Sequence, residues 1–231
     1  MSTLELDDFL ITGRTYGEYC AFFNLDPIAL KGKRVLDCPG GASSFVYRAK
    51  KEGILAQAAD VIYRFPLEGL KARGEASIEI IYQDPTWMQG HDFTFYESIP
   101  NHRRFREKAL KEFLHDYNRH DYRFATLPHL PYADGAFDLV LSSHLLFVYD
   151  DRLDEAFHIQ SIREMLRIGQ EVRLFPLVDF KNSREQEEQN FSPLVERVIE
   201  ALQGEYTVAI EAVGFQFQRG AGYMLSVKHK T

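Results

Sequence analysis

The stretch Lys33-Arg34-Val35-Leu36-Asp37-Cys38-Pro39-Gly40-Gly41-Ala42-Ser43-Ser44-Phe45 decides how the rest of the chain is read. Val35 and Leu36 predict a short buried strand that ends on an acid, Asp37; paired glycines then make a tight turn, and small residues open a helix. Glycine reaches positive φ without strain and lets a ligand approach the backbone. The spacing limits which ligand. A dinucleotide fingerprint needs G-x-G-x-x-G. Counted from Gly40 it requires glycine at Ala42 and Phe45, and counted from Gly41 it requires glycine at Ser43 and Val46, so both registers fail. A P-loop fails as well, because no Gly-Lys-Ser/Thr follows the turn. An acidic strand end beside a glycine turn, with no dedicated phosphate cradle, suits an adenosine ligand without a pyrophosphate.

Working outward, Ser43 or Ser44 is placed to cap a helix that runs to Glu52 and stops at Gly53. Ile54 to Ala59 reads as a second buried strand ending at Asp60. An acid about twenty residues past the glycine turn sits at the tip of the neighbouring strand and accepts ribose hydroxyls; the alternative for Asp60 is a helix N-cap or a surface turn. Upstream, Phe9, Tyr16, Tyr19, Cys20 and Phe23 recur at helical spacing between Asp7 and Leu25. Tyr16 and Tyr19 there either help to cover a ligand or pack into the core.

About sixty residues separate Asp60 from the next strand near Arg123, more than one crossover helix needs. They hold a helix near Pro66 to Arg73, a β-prone patch (Ile78, Ile80, Ile81, Tyr82), the lone Trp87, the aromatics Phe93, Phe95 and Tyr96, and a long helical pattern from Pro100 through Tyr117. Insertions carry specificity, and this one, from about 63 to 122, is expected to be a lid. His115 and His120 are five apart, which is not the spacing of two ligands on one helical face, so no metal site is expected. Beyond it, Arg123-Phe124-Ala125 and Leu139-Val140-Leu141-Ser142 read as strands, Asp150 to Arg167 as an amphipathic helix, and Glu171 to Leu177 as a fifth strand. Gln186 to Asn190 is polar and loop-like, Pro193 to Leu202 is helical, and Tyr206 to Val213 and Gly222 to Lys228 are alternating strands.

Val35-Leu36-Asp37-x-x-x-Gly41 resembles the first motif of class I S-adenosylmethionine-dependent methyltransferases, although Pro39 and Ser43 stand where that motif usually has glycine. The later run Leu130-Pro131-x-x-Asp134-x-x-Phe137-Asp138-x-Val140 resembles the segment of that family that lines the adenine slot and leads into the fourth strand. The resemblance covers nearly the whole chain apart from the insertion, and is closest to an uncharacterised bacterial branch that shares the stretches Ser142 to Phe147 and Phe175 to Leu177. It implies a Rossmann-like α/β sandwich with a mostly parallel seven-stranded sheet and an antiparallel last strand. The chain from 1 to 231 is then one domain with an N-terminal helical cover over 1–30. It implies S-adenosyl-L-methionine as cofactor and S-adenosyl-L-homocysteine as product. Asp37, Pro39, Gly40, Gly41, Asp60, Val61, Thr126, Leu127, Ser142 and Ser143 are the expected cofactor residues, with Tyr16, Tyr19, Trp87 and Phe147 toward a small-molecule acceptor. If a base is used, His144 comes first, since imidazole titrates near neutrality and the strand end faces the crevice; a packed structural histidine is the competing reading, and His158 is the second choice.

With 231 residues, 45% of them apolar, and a net charge of -7, the chain is long enough for a sizeable core and lacks the basic balance that nucleic-acid binding favours. Cys20 and Cys38 read as reduced thiols, and neither a membrane-spanning run nor a signal peptide is seen. A cytoplasmic monomer or homodimer is the expectation. Two other functions stay open: a non-catalytic S-adenosylmethionine- or S-adenosylhomocysteine-binding protein, favoured by the degenerate glycine motif, and a nicotinamide-dependent oxidoreductase, opposed by the missing glycines.

Overall fold

A computed structural model describes residues 10–83, 91–179, 191–218 and 220–230. Strands β1 (Arg34–Asp37), β2 (Leu55–Asp60), β3 (Tyr122–Phe124), β4 (Leu139–Ser143), β5 (Glu171–Phe175), β6 (Tyr206–Ala212) and β7 (Tyr223–His229) form one sheet in the order β3-β2-β1-β4-β5-β7-β6. The first five are parallel, and β7 runs antiparallel between β5 and β6. This is the α/β fold with a mostly parallel seven-stranded sheet and an antiparallel last strand that the resemblance implies. The order reverses between β1 and β4, so the chain leaves those two neighbouring strand ends in opposite directions and opens a crevice above them.

Among the described residues, six α-helices cover the faces: α1 (Tyr16–Phe22), α2 (Phe45–Lys51), α3 (Leu67–Gln83), α4 (Ile99–Asp116), α5 (Glu155–Ile168) and α6 (Leu194–Leu202). Alternation along the strands divides the core into two halves. Val35, Ala56, Ala58, Leu139 and Leu141 face Phe22, Phe45 and Phe113 on one side; Leu36, Ala59, Val140, Val172 and Leu174 face Ile162, Met165 and Val198 on the other. Thr15 and Glu18 close a capping box that starts α1. At α2 the capping oxygen belongs to Ser43, which accepts from the Phe45 amide at 3.0 Å, while Ser44 makes no side-chain cap bond.

The β-prone patch is a correction: Ile78 to Tyr82 lies inside α3. The buried positions of that helix are Leu70, Gly74, Ser77 and Ile78, a helical stripe, and Gly74 admits Leu110 of α4 so closely that a Cβ there would stand 2.6 Å from the Leu110 Cδ1. Helical packing outweighs the strand preference of the isoleucines. The segment expected as a lid also supplies core: α4 is the crossover from β2 toward β3, with Leu110 and Phe113 buried, while Phe93 and Phe95 pack against that core and Tyr96 lies inside it. Among the described residues, no helix is long and apolar enough to cross a membrane.

Candidate functional site

A cavity of about 410 Å³ lies over the C-terminal ends of β1, β2 and β4. Its near half is built by the glycine turn (Cys38, Pro39, Gly40, Gly41, Ser43), by Asp60, Val61 and Ile62 after β2, and by Ala125, Thr126 and Leu127 after β3. Gly41 has φ +53°, its amide donates to Asp60 Oδ2 at 2.7 Å, and its carbonyl accepts from the Tyr63 hydroxyl at 2.9 Å. Asp60 Oδ1 accepts from the Ile62 amide at 3.0 Å and so caps the short 3₁₀ turn over Val61–Arg64. The two readings of Asp60 therefore coincide: it is an N-cap and it stands in the cavity wall. Each carboxylate oxygen keeps a second acceptor site for a ligand. Burial pushes the Asp60 carboxyl up to about 6, against the pull of its backbone hydrogen bonds.

Gly40 serves packing rather than ligand approach. A Cβ there would stand 2.5 Å from the Tyr63 hydroxyl and 2.8 Å from the Ala58 Cβ, whereas one at Gly41 would meet nothing within 4 Å. The close contact is between the turn and its neighbouring strand, and the residue with the left-handed backbone is the next one along.

The far half comes from chain segments distant from the turn: a strap over 10–14, Ile80 and Ile81 of α3, His91, His102 and Arg106 of α4, and Phe217. A buried ion pair holds it together. Glu18 Oε1 accepts from Arg106 Nη2 and, at 2.5 Å, from the Tyr96 hydroxyl, while Oε2 accepts from the Thr15 amide and hydroxyl, both at 2.7 Å. Arg106 also donates to the Gly13 carbonyl at 2.7 Å. The strap is fixed further by Ile11 amide to Ser77 Oγ at 3.0 Å and by Ser44 amide to Arg14 carbonyl at 3.0 Å. Gly13 passes so close to the glycine turn that a Cβ would fall 2.3 Å from the Ala42 carbonyl oxygen. His102, with Nδ1 2.5 Å from the Tyr82 hydroxyl, is lowered to about 3 by burial, then by the Arg14 and His91 charges, and is neutral.

His144 stands where the halves meet, at the end of β4 with φ +54°. Its Nδ1 is 2.7 Å from Ser143 Oγ, and its ring lies against Phe22 and Phe175 with centroids 5.2 and 5.6 Å away. Burial, followed by the charges of Arg14 and Arg106, holds its pKa well below the ordinary histidine value. The structural and the cavity-facing readings again coincide in one residue.

The cavity wall brings together Tyr19, Pro39, Gly40, Gly41, Asp60, Val61, Thr126, Leu127, Ser143 and His144. Five expected residues are corrected, because they point elsewhere. Asp37 lies beneath Tyr19, whose hydroxyl donates to it at 2.9 Å, and burial raises its carboxyl well above the usual range. Ser142 alternates with Ser143 and turns its buried Oγ away from the cavity. Tyr16 stacks on Phe45 at 5.8 Å, and Phe147 is buried against His158 at 5.2 Å. His158 sits in α5, its Nδ1 2.8 Å from the Asp154 carbonyl. Trp87 lies outside the described residues. The sequence reading missed Arg14, His102 and Arg106; the signal for Arg14 was its place in the run Ile11-Thr12-Gly13-Arg14-Thr15, where a lone cation follows apolar and small residues.

No protein-family model matches the chain. It is 28% identical over 232 residues to the uncharacterised protein MJ0045 of Methanocaldococcus jannaschii, covering 99% of this chain and 100% of that protein. That relative is archaeal, so the placement nearest a bacterial branch is not supported. Among solved structures, the chain is similar to a SAM-dependent methyltransferase from Aquifex aeolicus, with 14% identity, 92% of each chain covered and a TM-score of 0.40. It is also similar to the Burkholderia thailandensis 1,6-didemethyltoxoflavin-N1-methyltransferase, solved with 1,6-didemethyltoxoflavin and S-adenosylhomocysteine. There the identity is 13%, the coverage 89% of this chain and 76% of that one, and the TM-score 0.41. Each is a likeness of architecture at low identity.

Proposed function

We propose that this protein is an S-adenosylmethionine-dependent methyltransferase acting on a small-molecule acceptor. The observation that carries the reading is the pinning of Asp60 to the glycine turn through the Gly41 amide at 2.7 Å, opposite the apolar slot of Val61, Ala125 and Leu127. The residues fit a nucleoside: a carboxylate with acceptor capacity for two vicinal hydroxyls, beside an apolar slot for a base. When bound, the cofactor supplies a methyl group on a sulfonium, already a strong electrophile. The chain's own task is to hold donor and acceptor in line and to exclude water. Asp60 holds the ribose, Leu127 and Val61 flank the base, and the strap over 10–14 closes the far side. His144, neutral and bonded to Ser143 at the meeting point of the halves, is suited to orient the acceptor through a hydrogen bond; with its pKa held well below the ordinary histidine value, it is a poor store for the acceptor's proton.

Calorimetric titration of the full chain with S-adenosylmethionine, S-adenosylhomocysteine and NAD checks the cofactor: saturable binding of the first two and none of the third is expected. Turnover against a metabolite panel then separates an enzyme from a non-catalytic binder, the reading favoured by Pro39 and Ser43 in the places of motif glycines.

A further inference from the structure

The charges lining the far half do not balance. Among the described residues the wall carries one carboxylate, Asp60, which belongs to the near half. Of the two arginines in the far half, Arg106 is neutralised by Glu18. Arg14 has no carboxylate beside it among the described residues. Its Nη1 donates to the strap itself, to the Thr12 carbonyl at 3.1 Å and the Thr12 hydroxyl at 2.8 Å, while Nε and Nη2 make no hydrogen bond among the described residues. Those two N–H groups form one edge of the guanidinium, and two parallel donors on one edge match the two oxygens of a carboxylate. The surroundings supply aromatic hydroxyls and neutral imidazoles rather than acids: Tyr19, Tyr149, His102 and His144 share the same wall. A half-buried cation kept out of bulk water without a counter-charge is costly unless something offsets it.

The scaffold holds this edge in place. The backbone on either side of Arg14 is sewn down by Arg106 to Gly13, by Ser44 to the Arg14 carbonyl, and by Ile11 to Ser77. Contacts from α4, from the start of α2 and from α3 thus converge on the strap at Arg14.

We infer that the far half of the cavity is a carboxylate site with Arg14 as its anchor. This rests on the methyltransferase reading for the identity of the near half. It takes either the amino-acid carboxylate of the methionine donor or that of an acidic acceptor. Both sources use the same side-on pair of hydrogen bonds.

The test is calorimetric titration of the full chain and of Arg14→Met and Arg14→Lys, with melting temperatures as the folding control. S-adenosylhomocysteine carries a carboxylate; 5′-methylthioadenosine keeps the nucleoside and thioether without it; benzoate, added to protein saturated with S-adenosylhomocysteine, probes the acceptor side. If the donor fills the site, Arg14→Met weakens S-adenosylhomocysteine by about tenfold or more, leaves 5′-methylthioadenosine unchanged, and Arg14→Lys recovers part of the loss. If the acceptor fills it, S-adenosylhomocysteine is unchanged and benzoate binds the wild-type complex but not Arg14→Met. The inference is overturned if Arg14→Met alters neither carboxylate ligand, or if it weakens 5′-methylthioadenosine as much as S-adenosylhomocysteine. Wild-type protein that ignores both adenosine compounds but holds benzoate through Arg14 would keep the carboxylate site and sink the methyltransferase reading instead.

Discussion

The two halves of the cavity are made in different ways. The near half is backbone: strand ends in fixed register, a glycine turn, and one carboxylate that bonds two amides. The far half is side chain, assembled from residues around 10–14, 80, 102 and 217 and held by the buried Glu18–Arg106 pair. A sheet edge tolerates little variation, so the near half suits a constant ligand. Side chains on packed helices can be exchanged while the helices stay in place, so the far half suits a ligand that differs from protein to protein.

The largest expected effect breaks the far half alone. Glu18→Ala removes the counter-charge of a buried guanidinium and four hydrogen bonds at once, and should cost about 3–5 kcal/mol of stability. Chemical denaturation measures it. If the comparison is right, the loss is global in stability, while the folded fraction still binds 5′-methylthioadenosine. A cost under about 1 kcal/mol would mean that the strap is held by other contacts.

Next in size is the near half. Asp60→Ala loses two charge-assisted acceptors for the turn and the proposed contacts to the ribose, and S-adenosylhomocysteine affinity should fall at least about tenfold, each charged hydrogen bond contributing about 1.5–3 kcal/mol less what water recovers. An unchanged dissociation constant in a folded variant would remove the ribose assignment.

How legible each half was in the sequence follows from the same difference. The strand, the turn and Asp60 are local signals, readable from Val35-Leu36-Asp37, the paired glycines and the spacing to the second strand, while the mostly parallel sheet with one reversed strand is what the family resemblance implies. The far half has no local signal. Arg106 looks like one of many cations on α4 until Glu18, 88 residues away, is brought against it. Ile80 and Ile81 read as strand because their β-propensity is intrinsic, whereas the packing of Gly74 on Leu110 that makes them helical is tertiary. The corrections at Asp37 and Ser142 have different causes: alternation turns Ser142 away where Ser143 lines the cavity, whereas Asp37 is covered by Tyr19, a tertiary contact with no local signal.

The smallest effect expected, and the one that separates the halves by chemistry, is in pH. Asp60 has its carboxyl raised to about 6 by burial, whereas burial lowers His102 to about 3 and holds His144 well below the ordinary histidine value. An acid whose pKa is higher folded than unfolded binds more protons in the folded state between about 4 and about 6, so its contribution to stability falls as pH rises through that window. Its capacity to accept ribose hydroxyls moves the other way, rising as it ionises. S-adenosylhomocysteine should therefore bind about three- to tenfold more weakly at pH 5 than at pH 7. In Asp60→Asn, which cannot ionise, binding is weaker throughout and flat over the same range; in His144→Gln the wild-type slope is retained. Calorimetry at four or five pH values decides it: a slope that survives Asp60→Asn and disappears in His144→Gln would transfer the titrating group to the junction of the two halves and leave the near half without its carboxylate.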